Sequence, residues 1–160
     1  MTALHAAVSQ QKAFFISDGA ITNRHGKRSW FNRKKVWLYP EKKMAIGGMG
    51  CFQIVRAVVR GLAQQVNSFD EFKTNGTRLF RVGIENAASI PSVQKYYGGS
   101  LYDCDIVCIG WSEKLEKPEV LFLTANPNKS DFKRYDVFSF DRYLAHANSE
   151  QEMQFAKSVC

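Results

Sequence analysis

The rhythm of apolar and polar positions changes twice along the chain. Short strand-like runs fill the first fifty residues, three- and four-residue steps follow to about Ala88, and short apolar runs return after Gly98-Gly99. Ala3 to Ser9 alternates loosely, and Gln10-Gln11-Lys12 is a polar break. Ala13-Phe14-Phe15-Ile16-Ser17 then runs into the turn pair Asp18-Gly19. This predicts two antiparallel strands joined by a tight turn, with Asp18 where the second ends. Val36–Tyr39 and Lys43–Ile46 read as two more strands around Pro40-Glu41-Lys42, with Gly47-Gly48-Met49-Gly50 as a glycine-rich turn behind them.

From Cys51 to Val66 the apolar residues Phe52, Ile54, Val55, Val58, Val59, Leu62 and Val66 fall on one helical face. Ser68 and Glu71 form a capping box that opens a second helix running to about Ala88, with Gly76 as a weak point. A short polar link between them predicts a helical hairpin laid over a sheet. Further on, Ile106–Trp111 reads as a buried strand, Ser112–Pro118 as a hairpin loop, and Glu119–Thr124 as its return. Arg134–Phe140 and Arg142–Ala147 read as strand, and a second capping box, Ser149 with Glu152, opens a last helix to Cys160. Strands and helices kept in separate runs give an α+β class rather than an alternating parallel sheet. Neither the dinucleotide fingerprint nor a phosphate-binding loop is present in the sequence.

The 160 residues suit a single domain over 1–160, and 45% hydrophobic content provides a core. No apolar run reaches membrane-span length, so no membrane partner is expected. The N-terminus lacks the pattern of a signal peptide. Cys51, Cys104, Cys108 and Cys160 match no metal spacing, although Cys104 and Cys108 share one face of a strand. A core of this size needs no disulfides, which makes a reducing cytoplasm the default. The net charge of +7 admits an anionic partner. Arg24, Lys27, Arg28, Arg33, Lys34 and Lys35 crowd one stretch with Trp30 and Phe31 among them, a composition that also suits nucleic acid.

The order of pieces in the first seventy residues resembles the proteasome-type N-terminal nucleophile (Ntn) hydrolases, nearest to the bacterial ATP-dependent proteasome-like peptidases. Those pieces are Met1-Thr2, Ile16-Ser17-Asp18-Gly19, Lys34-Lys35-Val36, Ala45-Ile46-Gly47-Gly48-Met49-Gly50 and the helix after them. The resemblance implies a four-layer sandwich, two antiparallel sheets between helices. The sequence stops at Cys160, before the family's fourth helix and last strands, so either the sandwich lacks edge strands or the sequence is a fragment or a shortened variant. The resemblance makes Thr2 the nucleophile once Met1 is removed, and makes Asp18 the carboxylate that steadies the catalytic lysine. That lysine is Lys35, with Lys34 competing. The oxyanion glycine is Gly48, or Gly47 in a slipped register, and the later helper serine is Ser149. At that last place the family's Gly-Ser-Gly is replaced by Ala147-Asn148-Ser149-Glu150. The implied substrate is a peptide or acyl-amide, no metal or organic cofactor is needed, self-association is expected, and an ATPase partner stays open.

The chemistry fits those residue types. A threonine hydroxyl needs a base, and a freed α-amine with a pKa of about 7.7–8.0 sits on the same residue. A nearby ammonium keeps that amine neutral, an aspartate holds the ammonium charged, and a backbone N–H stabilises the oxyanion. Two readings stand beside this one. The chain could keep the fold without catalysis, or it could be a basic nucleic-acid-binding protein. Each residue also has a plainer role. Thr2 can be an ordinary second residue, Asp18 a turn residue, Lys35 a solvated charge, Gly47 and Gly48 packing glycines, and Ser149 an N-cap.

Overall fold

The computed structural model describes residues 4–8, 11–17, 21–22, 28–30, 34–97, 104–125, 133–137 and 143–145. The strands are β1 (Leu4–Val8), β2 (Ala13–Ser17), β3 (Ile21–Thr22), β4 (Arg28–Trp30), β5 (Val36–Tyr39), β6 (Met44–Gly50), β7 (Cys104–Ser112), β8 (Lys117–Thr124), β9 (Lys133–Val137) and β10 (Tyr143–Ala145). The helices are α1 (Phe52–Gln64), α2 (Phe69–Ser89) and α3 (Pro91–Tyr97), all lying between β6 and β7. The expected α+β class is observed.

A five-stranded antiparallel sheet in the order β5-β6-β7-β8-β9 forms the centre. Its hydrophobic strand β7 is buried on both sides. Ile106 and Cys108 face a cluster with Val55, Val59, Leu62, Phe72, Phe80 and Ile84 of the helices. Val107 and Ile109 face the other way, toward Leu4, Ala6 and Val8 of β1. β1 belongs to a three-stranded sheet in the order β10-β1-β2. Alternation with period two thus lets one strand serve two cores. α1 forms because its apolar residues recur at helical spacing, and Ile54, Val55, Val58, Val59 and Leu62 are all buried. Each of these contributes roughly 1.5–3 kcal/mol by leaving water, so an aspartate at Val59 would break this layer.

The Ser68 cap is present: its Oγ accepts the Glu71 N–H at 3.1 Å. The return bond differs from the usual box, because Glu71 Oε2 accepts from Asn67 N at 2.7 Å, one residue before the cap.

Four expectations change. The chain does not turn at Gly47-Gly48; β6 runs straight through both glycines to Gly50. The structure adds α3, which has no strong periodicity to announce it. The loop expected over Ser112–Pro118 is a tighter turn at 113–116, with strand on either side. Within the basic stretch, Arg28–Trp30 is strand and pairs with Ile21–Thr22. The last helix expected from Ser149 lies outside the described residues, as does any helical layer it would form.

Candidate active site

Thr2, Asp18 and Ser149 lie outside the described residues, but Ser17 beside Asp18 and Leu4, two places after Thr2, are described. In the β1–β2 register Leu4 pairs with Ser17. The neighbour of Asp18 therefore lies across from a residue two places after Thr2.

Lys35 and Gly48 are described directly. Lys34 is exposed, whereas Lys35 is only 3% exposed. Lysine is seldom buried to this degree, so the two competing lysines differ sharply in environment. Lys35 directly precedes Val36, and Val36 pairs with Gly47. The register thus delivers a buried lysine to the middle of the glycine segment.

The two glycines face opposite layers. A Cβ on Gly47 would stand 2.5 Å from Phe15 Cζ and 3.0 Å from Leu4 Cδ1. A Cβ on Gly48 would stand 2.3 Å from Val55 Cγ1 of α1. Both positions need glycine so that neighbouring layers can close on β6. Their backbone groups also point apart. Trp111 N–H donates to the Lys43 carbonyl at 2.9 Å, which fixes odd-numbered residues of β6 toward β7. Because antiparallel pairs alternate, the Gly47 N–H is directed at β7 and the Gly48 N–H at the β5 side. There the Val36–Gly47 pair closes the ladder with β5, and the Gly48 N–H faces the Lys35 carbonyl. Leu4, which pairs with Ser17, therefore packs on Gly47, Gly47 pairs with the residue after Lys35, and Gly48 faces α1.

A second polar group lies at the far end of the central sheet. Ser112 is five residues beyond Val107, the β7 partner of Gly47, a separation of roughly 17 Å along a strand. The Asp70 carboxylate accepts from Ser112 Oγ at 2.7 Å, Glu113 N at 2.9 Å and Lys114 N at 3.2 Å. Ser112 Oγ in turn accepts Leu115 N–H at 3.2 Å. Partial burial pushes the Asp70 carboxyl up, but the Ser112 hydroxyl, the two N–H groups and the Lys73 charge outweigh it and hold the carboxyl below its ordinary value. Beside it Lys73 Nζ meets Glu119 Oε2 at 2.7 Å; Glu119 is 1% exposed, and its Oε1 has no hydrogen-bond partner. A hollow of about 290 Å³ is lined by Asp70, Lys73, Thr74, Ser112, Lys114 and Leu115. Sequence reasoning did not reach this network. The capping box signalled that the start of α2 would be fixed, but not that Asp70 inside it would clamp a hairpin 42 residues away.

Among the described residues no three His, Cys, Asp or Glu side chains are grouped to hold a metal. Cys104 and Cys108 do share a face, within the core against the helices, and burial pushes the Cys108 thiol well up, which keeps it unreactive. No helix among the described residues is long and apolar enough to cross a membrane.

No family model matches the sequence, and no curated protein matches it. Solved structures do match by shape. Anbu, the ancestral beta-subunit from Yersinia bercovieri, superposes with a TM-score of 0.69 at 12% identity, covering 100% of this chain and 66% of that one. The helical assembly of the Anbu complex from Pseudomonas aeruginosa gives 0.64 at 12%, over 94% of this chain and 62% of that one. Eukaryotic HslV from Trypanosoma brucei gives 0.56 at 11%, over 100% and 92%. The fold is proteasome-like. At these identities the likeness is one of fold alone. The chain spans 61–66% of the Anbu chains it matches. Within the proteasome-like fold, the glycine segment, the buried Lys35 and the ends of β1 and β2 form the candidate site.

Proposed function

We propose that this protein is an Ntn-type amide hydrolase acting on peptides or acyl-amides, with Thr2 as nucleophile after loss of Met1. The observation that supports this reading is the burial of Lys35 beside the paired Val36–Gly47 position, with Leu4, the partner of Ser17, packed on Gly47. Thr2 Oγ1 attacks the amide carbon while its own α-amine takes the hydroxyl proton. Lys35 keeps that amine neutral, and Asp18 keeps Lys35 charged and oriented. The Gly48 N–H, at the Lys35 end of the β5–β6 ladder, turns from that ladder to the oxyanion, and the bare Cα of Gly47 lets Phe15 and Leu4 close on β6 beside it. The amine returns its proton to the leaving nitrogen, the C–N bond breaks, and water hydrolyses the acyl ester. Ser149 assists the proton transfers. A four-layer sandwich is part of this reading, as is self-association, which the assembled state of the Anbu complex supports. An ATPase partner would dock on such an assembly.

Intact mass and N-terminal sequencing of natively produced protein test it first, with peptide hydrolysis by wild type and Thr2→Ala second. The expected result is loss of Met1 and a drop of about a thousandfold or more in Thr2→Ala. Retained Met1 together with equal activity in Thr2→Ala would end the hydrolase reading. The glycines support a second reading, a non-catalytic protein with the same fold, because packing alone requires both. That reading expects a retained Met1 and no hydrolysis.

A further inference from the structure

Cys51, Cys104 and Cys108 are all present as thiols, and their places in the fold differ. Cys108 sits midway along β7, where it pairs with Ile46. It is four residues from Cys104, roughly 13 Å along a strand. A disulfide needs Cα atoms about 4.4–6.8 Å apart, so Cys108 does not reach Cys104 although the two share a face. The corner where β6 gives way to α1 is different. Gly50, the last residue of β6, pairs with Cys104, the first residue of β7, and Cys51 follows Gly50 directly.

Odd-numbered residues of β6 exchange hydrogen bonds with β7, so Gly50 and Cys104 form a non-hydrogen-bonded pair. Such pairs hold their Cα atoms about 4.5 Å apart. Cys51 is one peptide step further, so its Cα stands about 8 Å from that of Cys104 at full stretch and closer once the chain bends. Strict alternation would send the Cys51 side chain to the β1 side of the sheet. Gly50 instead has a φ of 111°, a conformation open to glycine, and the chain turns there. Cys51 becomes the N-cap of α1 and packs against the helix-side cluster that contains Cys104. The two thiols thus flank one corner, Cys104 buried and Cys51 half-buried, within reach of an oxidant in solvent.

We infer that Cys51 and Cys104 form a reversible disulfide when the protein meets a peroxide. The Cys51 thiolate attacks one peroxide oxygen, the O–O bond breaks, and a sulfenic acid and one water result. The Cys104 sulfur then attacks Cys51 Sγ, the S–S bond forms, and the sulfenic oxygen leaves as a second water. Two thiols give up two electrons and two protons, hydrogen peroxide becomes two waters, and a dithiol reductant reverses the step. The bridge closes a loop that holds α1, α2 and α3. It fastens the first turn of α1, where Val55 N–H donates to the Cys51 carbonyl at 2.9 Å, to the start of β7. Gly48 lies between these parts, since a Cβ there would meet both Val55 and the Asp105 carbonyl. The inference does not depend on hydrolysis, so it stands or falls apart from the status of Thr2.

The test treats the full chain with hydrogen peroxide, blocks remaining thiols with an alkylating agent, and maps the unreduced peptides by mass spectrometry. The expected product has lost two hydrogens and links the peptide carrying Cys51 to Cys104. Cys108→Ala should form the same link, whereas Cys51→Ala and Cys104→Ala should form none. The bridged protein should melt about 5 °C or more above the reduced one, because a long loop is closed in the unfolded chain. Dithiothreitol should remove that gain, and hydrogen exchange in the first turn of α1 should slow only in the bridged form. Fragmentation of the wild-type cross-link gives the same assignment if an alanine variant folds poorly. Oxidation of Cys51 to a sulfinic acid with Cys104 still a thiol overturns the inference. So does a link from Cys51 to Cys108 or Cys160, or the absence of any link.

Discussion

Lys35 and Lys73 are both drawn out of water by the central sheet, one at each end, and they differ in what surrounds them. Lys73 has a structural setting: its ammonium meets the buried Glu119, next to the carboxylate that clamps the β7–β8 hairpin. Lys35 is more deeply buried and lies beside the glycine segment. A buried ion pair stabilises little over an apolar replacement but is costly to break from one side. A buried lysine beside a bare glycine backbone is better suited to shift a neighbour's proton affinity.

Substitution should separate the two lysines. Lys35→Met should lower peptide hydrolysis by at least about a hundredfold, with a smaller change in melting temperature than Lys73→Met. Equal activity would remove Lys35 from the site. Lys73→Met leaves the Glu119 carboxylate alone and should cost about 3–5 kcal/mol in denaturant unfolding. Activity per folded molecule should hold, and a loss of activity without unfolding would blur the division between the ends. Gly48→Ala pushes a methyl at Val55 and should cost about 1–3 kcal/mol through overpacking, read as a lower denaturant midpoint. The double variant Gly48→Ala/Val55→Ala should recover part of it.

The smallest effect is that of pH at Asp70. Its carboxyl is held below its ordinary value in the folded protein, so its stabilising contribution is fully present above the unfolded value near pH 4 and is lost as pH falls through the folded one. Asp70→Asn should flatten that part of the stability profile, at a cost of about 1 kcal/mol at neutral pH. An unchanged acid limb in urea titrations would show that the clamp carries none of the pH dependence.

Much of the frame was legible in advance because it rests on local rules. The step of α1 follows from Ile54 to Leu62, the start of α2 from Ser68 and Glu71, and the face shared by Cys104 and Cys108 from the pleat of a strand. The glycine segment was misjudged as a turn because glycine permits both turning and close packing. Only the positions of Phe15 on one side and Val55 on the other show which one applies. Helix α3 was missed since seven residues opening on proline carry too few apolar positions to set a period.

Sequence alone determined the alternation of elements, the order of the candidate site residues and the excess of positive charge, all of which are properties of neighbours along the chain. Tertiary structure decided that Lys35 rather than Lys34 leaves water, that Gly47 and Gly48 serve opposite layers, and that Asp70 reaches the hairpin. Those outcomes depend on strand register and on how closely two layers approach. A one-residue slip would reverse every face, and no local pattern encodes the choice.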